Sequence, residues 1–205
     1  MIAKLWHTGA QVAVVIGAGN IWRGRRGPSE SMNAVAADHM GMLGTVINAL
    51  AMQDALERVD PDIEARVMTA VEMNKCAEPY NWRQAKHHLE RGRIVLFAYG
   101  TGDPLHSTDT AAAQRAVEIE ADAMLFAKNV DGIYYKNPDK YDDAKLLADL
   151  TYADALRLPS SGIDETALII CKENKLGALR VFSLNDPENI MRVVAGENIG
   201  TTVHA

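Results

Sequence analysis

Three short stretches gather the residue types that handle phosphate. The first is Gly17-Ala18-Gly19-Asn20, followed by Arg23-Gly24-Arg25-Arg26. Small residues let backbone amides approach an anion closely, and amides at a strand-to-helix turn suit phosphate. Arg23 adds a charge-assisted donor for a phosphoryl oxygen. Short glycine motifs are weak signals, so the stretch also reads as a tight turn entering a solvated basic loop. The second stretch is Tyr99-Gly100-Thr101-Gly102-Asp103-Pro104-Leu105-His106-Ser107-Thr108-Asp109. Thr101, Ser107 and Thr108 can donate to phosphate or base oxygens. Asp109 either caps a helix, at about 1 kcal/mol, or faces a metal–phosphate complex. His106 reads as an exposed loop histidine rather than a base. The third stretch is Lys128-Asn129-Val130-Asp131-Gly132-Ile133-Tyr134, with a turn at Asp131-Gly132. Tyr134 either offers an aromatic face to a base or packs half-buried. Asp38, one turn before Met42, either accepts from ribose hydroxyls or stands as a solvated acid at a helix start.

Other chemistries find no support. None of the six histidines has metal-ligand spacing with cysteine or acidic residues, and no residue is assigned as a metal ligand. Cys76 and Cys171 fit neither a zinc site nor a disulfide framework. There is no G-x-S-x-G or Cys-His arrangement for a nucleophile, and no G-x-x-x-x-G-K-[ST] loop. Three loops at successive strand ends fit phosphoryl transfer, where positioning and charge neutralisation do most of the work.

The apolar pattern supplies the elements that would position these loops. Residues 11–16 form a β-branched run read as a strand buried on both faces. Residues 33–59 carry Met40, Leu43, Ile47 and Leu50 at three- and four-residue spacing, one stripe of a long helix. Strands are expected at 64–70, 93–98, 122–127 and 179–184, and helices at 82–91, 110–120, 166–173 and 187–194. Residues 200–203 read as an edge strand, and residues 138–145 as a polar surface loop. Alternating strands and helices imply parallel strands joined by crossovers, with ligands beyond the carboxyl ends of the strands. The three loops follow Ile16, Ala98 and Ala127, where that rule directs attention.

The chain has 205 residues, enough for one core, and a single domain over 1–205 is expected. Hydrophobic residues at 48% and charged residues at 23% exclude disorder. A net charge of −6 speaks against a nucleic-acid partner. No uninterrupted apolar run reaches the roughly 18 residues of a membrane span. The N-terminus has no basic-then-apolar signal pattern, and a cytoplasmic location is expected.

Taken together the loops resemble those of bacterial UMP kinases, members of the amino acid kinase superfamily. The resemblance rests on Val14-Val15-Ile16-Gly17-Ala18-Gly19-Asn20, on Met32-Asn33 through Asp38-His39-Met40-Gly41-Met42, and on Gly100-Thr101-Gly102 through Thr108-Asp109. It continues through Glu118-Ile119-Glu120-Ala121-Asp122, Asn129-Val130-Asp131-Gly132 and Gly196-Glu197-Asn198-Ile199-Gly200-Thr201. It covers nearly the whole chain in order, and the D-H-M-G-M and T-G-x-P-x-x-[ST]-T-D segments are its most specific parts.

The resemblance implies a three-layer αβα sandwich with a mainly parallel central sheet. It implies transfer of the γ-phosphoryl of ATP to UMP, giving UDP, with Mg²⁺, in pyrimidine nucleotide synthesis. It places Ala18, Asp38 and the loop Thr101, Gly102, Asp103, Pro104, Leu105, His106, Ser107 and Thr108 on UMP. Gly19, Arg23, Lys128, Tyr134 and Asn137 fall on ATP, and Arg23, Asp109 and Asp164 near the transfer centre. It further implies a homohexamer regulated by GTP and UTP.

The chain departs from the family pattern at several points. The family's opening strand carries a K-L-S-G-E segment that holds ATP phosphates, and this sequence has none. Loss of such a strand would orphan backbone groups at about 1–3 kcal/mol each. Ala18 stands where a glycine is usual, so a positive φ there would be disfavoured. Asp103 stands for asparagine, Leu105-His106 for an aromatic pair and Asn137 for aspartate. An alternative is therefore a non-catalytic homologue that retains UMP or UTP binding or oligomer contacts.

Overall fold

The structure, a computed structural model, describes residues 1–23, 32–136, 138, 140–159 and 161–205. The backbone divides into two units, residues 2–112 and residues 113–205, with Met1 grouped with the latter.

The first unit runs α1 (Ile2–Trp6), β1 (Ala13–Val15), α2 (Ala34–Val59), β2 (Ala65–Thr69), β3 (Glu78–Pro79), α3 (Trp82–Glu90) and β4 (Ile94–Ala98), and ends inside α4 (Thr108–Glu118). Its sheet has the order β1-β4-β2-β3, every pairing parallel. All five residues of β4 are buried, as a continuous apolar run in a parallel sheet requires. Asn33 starts α2 by accepting the Val35 and Ala36 N–H groups at 3.0 and 3.3 Å, which satisfies two otherwise orphaned donors. Val46, Ala49 and Leu56 of α2 pack with Ile63, Val67 of β2, and Ile94 and Leu96 of β4. Burial of each large aliphatic chain stabilises the unit by about 1.5–3 kcal/mol.

The second unit contains β5 (Ala123–Lys128), β6 (Ile133–Tyr134), β7 (Leu146–Leu147), β8 (Asp149–Thr151), α5 (Tyr152–Arg157), α6 (Glu165–Glu173), β9 (Ala178–Ser183), α7 (Asn189–Val194) and β10 (Thr201–His204). The sheet order is β5-β9-β10-β8, with β5–β9 and β10–β8 parallel and β9–β10 antiparallel. A small antiparallel pair, β6–β7, stands apart. Leu168, Cys171, Leu179, Val181, Phe182 and Val203 are buried at its core. Burial pushes the Cys171 thiol from 9.0 up to about 11, which suits a packing residue and not a nucleophile.

Four sequence expectations are corrected. The run 11–16 is a three-residue strand that pairs only with β4 among the described residues, and Ala13 is exposed, so it is not buried on both faces. Met40, Leu43 and Ile47 are exposed at 39, 47 and 59%. The buried face of α2 is instead built from Ala37, Met42, Gly44, Thr45, Val46 and Ala49. Residues 201–204 form an interior strand between β9 and β8, not an edge, with Thr201 and Val203 fully buried. Helix α4 starts at Thr108 because Ser107 Oγ accepts the Thr110 N–H at 3.1 Å. Ser107, not Asp109, is therefore the capping side chain. The short elements β3, β6, β7, β8 and α5 have too few residues to print a period, and the sequence reading missed them.

By length and composition α2 would suit a bilayer crossing, with a window of mean hydropathy 1.2. Its Asp38, Thr45, Asn48 and Gln53 side chains nevertheless bond to loops and strands of the same unit. That identifies it as a wall of the α/β unit.

Candidate phosphate and nucleotide site

In the first unit the glycine loop after β1 is held by helix α2. Asn48 donates to the Gly17 carbonyl at 2.8 Å, and its amide pairs reciprocally with Asn20 at 2.8 and 3.1 Å. The Ala18 carbonyl accepts from the Ile21 and Trp22 N–H groups, closing a helical turn at the strand end. Ala18 is buried and is not among the residues of positive φ, so alanine here costs no backbone strain. Its Cβ instead fixes the residue it faces: a Cβ on Gly44 would lie 2.8 Å from it. Arg23 is exposed, and its Nε donates to the Gly19 carbonyl at 3.0 Å. Gly17 lies against Thr108, so the first and second sequence stretches meet.

The loop after β4 carries four left-handed residues: Tyr99 at φ 63°, Gly100 at 57°, Gly102 at 96° and Leu105 at 69°. Gly102 needs both that φ and its lack of a Cβ, which would sit 3.3 Å from the Ala70 Cβ. Thr101 Oγ1 accepts the Asp103 N–H at 3.2 Å and donates to the Asp103 carbonyl at 3.0 Å. Asp38 accepts the Leu105 N–H at 2.8 Å, so it is a loop clamp rather than a solvated acid. Asp103, Leu105 and His106 are exposed, Pro104 is half-buried, and Asp109 lies half-buried in the first turn of α4. A carboxylate there complements the helix dipole. Thus Gly17, Ala18, Gly19, Arg23, Asp38, Thr101–Thr108 and Asp109 belong to loops at the carboxyl ends of β1 and β4, to the N-terminal part of α2 and to the first turn of α4.

In the second unit Lys128, at the end of β5, donates to the Gly162 carbonyl at 2.6 Å. That brings it beside the segment leading to Asp164. Asp164 caps α6, its Oδ1 accepting the Thr166 N–H at 2.9 Å. Tyr134 is half-buried on β6, whose entry is fixed by Thr201 Oγ1 accepting the Ile133 N–H at 2.8 Å. Asn137 lies outside the described residues, as do Arg25 and Arg26.

Sequence reasoning did not assign Asn48, Thr45 or His39, each of which bonds a site loop from α2. A polar side chain inside the otherwise apolar stretch Val46-Ile47-Asn48-Ala49 was the available signal for Asn48.

Residues 1–183 match the amino acid kinase family. The chain is similar to the UMP kinase of Bacillus anthracis, with a TM-score of 0.92 and 36% identity over 99% of this chain and 84% of that one. It is similar to the UMP kinase of Ureaplasma parvum, with a TM-score of 0.90 and 33% identity over 100% of this chain and 86% of that one. The uridylate kinase of Archaeoglobus fulgidus aligns with a TM-score of 0.73 and 28% identity over 98% of this chain and 87% of that one. With nearly all its residues matched and the mainly parallel α/β fold in place, the chain belongs to the amino acid kinase family.

Proposed function

We propose that this chain is a UMP kinase acting in the cytoplasm in pyrimidine nucleotide synthesis. The observation that carries the reading is the loop after β4, with four left-handed residues and a clamp from Asp38, in a chain similar to solved UMP kinases. Such a loop presents backbone amides and hydroxyls in one fixed arrangement, which suits an anionic nucleoside monophosphate.

In this reading an oxygen of the UMP phosphate bonds to the γ-phosphorus of ATP. The bond from that phosphorus to the β–γ bridging oxygen breaks, leaving ADP and UDP. Ala18, Asp38 and residues 101–108 hold the acceptor. Gly19, Lys128, Tyr134 and Asn137 hold ATP. Arg23 neutralises charge on the transferring group. Asp109, in the first turn of α4, would face a metal–phosphate complex, and Asp164 would order the donor side. Asp109, a carboxylate in the first turn of α4, would hold Mg²⁺ together with the substrate phosphates, since Mg²⁺ is commonly bound by one or two carboxylates plus phosphate oxygens. When bound it offsets phosphate charge. GTP and UTP as effectors belong to the same reading.

Self-association belongs to it as well, and the exposed apolar residues Val35, Met40, Leu43 and Ile47 of α2 support it. Replacing Ile47 by Glu is expected to lower the assembly state in sedimentation equilibrium without unfolding the chain. An unchanged mass would remove α2 from the interface.

The reading is tested by titrating the full chain with UMP. Saturable binding of UMP in preference to AMP and GMP is expected. Absence of UMP binding by a folded chain would refute it, and binding without turnover would favour the non-catalytic homologue.

A further inference from the structure

The two non-glycine residues held at positive φ in the acceptor loop, Tyr99 and Leu105, are bound by adjacent residues of α2. Asp38 accepts the Leu105 N–H at 2.8 Å, and His39 Nδ1 shares a hydrogen bond with the Tyr99 hydroxyl at 3.1 Å. One helical turn and a half further along, Thr45 Oγ1 accepts the Tyr99 N–H at 2.7 Å while donating to the Met42 carbonyl at 2.7 Å. Tyr99 is 8% exposed, so a bulky aromatic residue occupies a left-handed backbone position with its ring buried. Residues that bulky are outliers there, and they persist only where the surroundings over-determine them. Here the surroundings are α2: both the backbone and the side-chain tip of Tyr99 end on it.

We propose that His39 and Tyr99 are positioning residues that fix the acceptor loop on α2, at the opposite end of the loop from the Asp38 clamp. Two pins at the two strained residues set the conformation of the segment between them, residues 100–104. That segment carries Thr101 and Gly102, whose N–H donates to the Tyr99 carbonyl at 3.1 Å. With the pins in place the loop meets its ligand already ordered, so binding does not have to supply that ordering. The role in acceptor binding rests on the UMP reading above, whereas the ordering of the loop does not.

The experiment separates the two. Amide hydrogen exchange is followed in the full chain for wild type, Tyr99→Phe, His39→Ala and the double variant. Tyr99→Phe keeps the ring and its burial and removes only the hydroxyl. Each single variant is expected to speed exchange at the amides of residues 101–103 and 105 by roughly 5- to 10-fold, with β5 unchanged, because one hydrogen bond is lost. The double variant is expected to add nothing further, since both changes remove the same contact. Thr45→Ser is expected to keep the wild-type rate and Thr45→Val to lose it. In turnover, the KM for UMP is expected to rise by a similar roughly 5- to 10-fold factor while the KM for ATP stays put. Unchanged exchange at 101–103 and 105, independent additive effects, or equal rises in both KM values would overturn the proposal. If wild type binds no UMP, the acceptor reading fails, and the exchange rates still decide whether this pair orders the loop.

Discussion

Arg23 shows how much a single side chain can be asked to decide. It is exposed and tethered through its Nε to the Gly19 carbonyl at 3.0 Å, which aims it from the glycine loop. A group that meets charge developing in transfer should affect turnover more than ground-state binding. Arg23→Ala is therefore expected to lower kcat roughly 100-fold while shifting the UMP dissociation constant less than about threefold. Equal losses in turnover and UMP binding, measured by a coupled assay and by calorimetry, would contradict a transfer-specific role. The loop residues themselves were legible in the sequence, because glycines, hydroxyls and an acid directly follow the buried run that became β4. The partners of those loops were not. Asp38 taken alone read first as a solvated acid, and nothing in its neighbours announced a bond to Leu105, 67 positions away. Ser107 took the cap that Asp109 offered, a choice set by a two-residue shift of the helix start.

At the scale of an element, α2 is the piece that organises the first unit. Its Gly44 breaks the usual helix preference, since glycine costs about 1 kcal/mol against alanine in a helix interior. The reason is spatial: an added Cβ would stand 2.8 Å from the Ala18 Cβ. Gly44→Ala is expected to destabilise the chain by about 1–2 kcal/mol despite the gain in propensity, because neither methyl can move away without shifting backbone. Adding Ala18→Gly should recover most of the loss in denaturant melts, and a stabilising Gly44→Ala would contradict the packing argument. The length and start of α2 were legible, with Asn33 as its cap and the apolar spacing running to Val59. Which face was buried was not. The small residues Ala37, Gly44, Thr45 and Ala49 allow close approach to the sheet and loops, while the larger Leu43 and Ile47 remain outside. Periodicity locates a stripe and says nothing about which neighbour will cover it.

For the molecule as a whole, the alternation of strands and helices foretold the parallel pairings, and nine of the strand and helix expectations landed on α2, β2, α3, β4, α4, β5, α6, β9 and α7 with small boundary shifts. The tail could not be placed that way. Residues 201–204 pair with β8 on one side and β9 on the other, a long-range arrangement that local spacing does not encode. The function reading, too, is a statement about the whole chain. The most direct measurement is UDP formation by the purified 205-residue chain with ATP, Mg²⁺ and UMP. The account predicts ATP-dependent UDP formation, with little phosphorylation of AMP, GMP, amino acids or carbamate. A folded chain that binds ATP and UMP yet forms no UDP would contradict it.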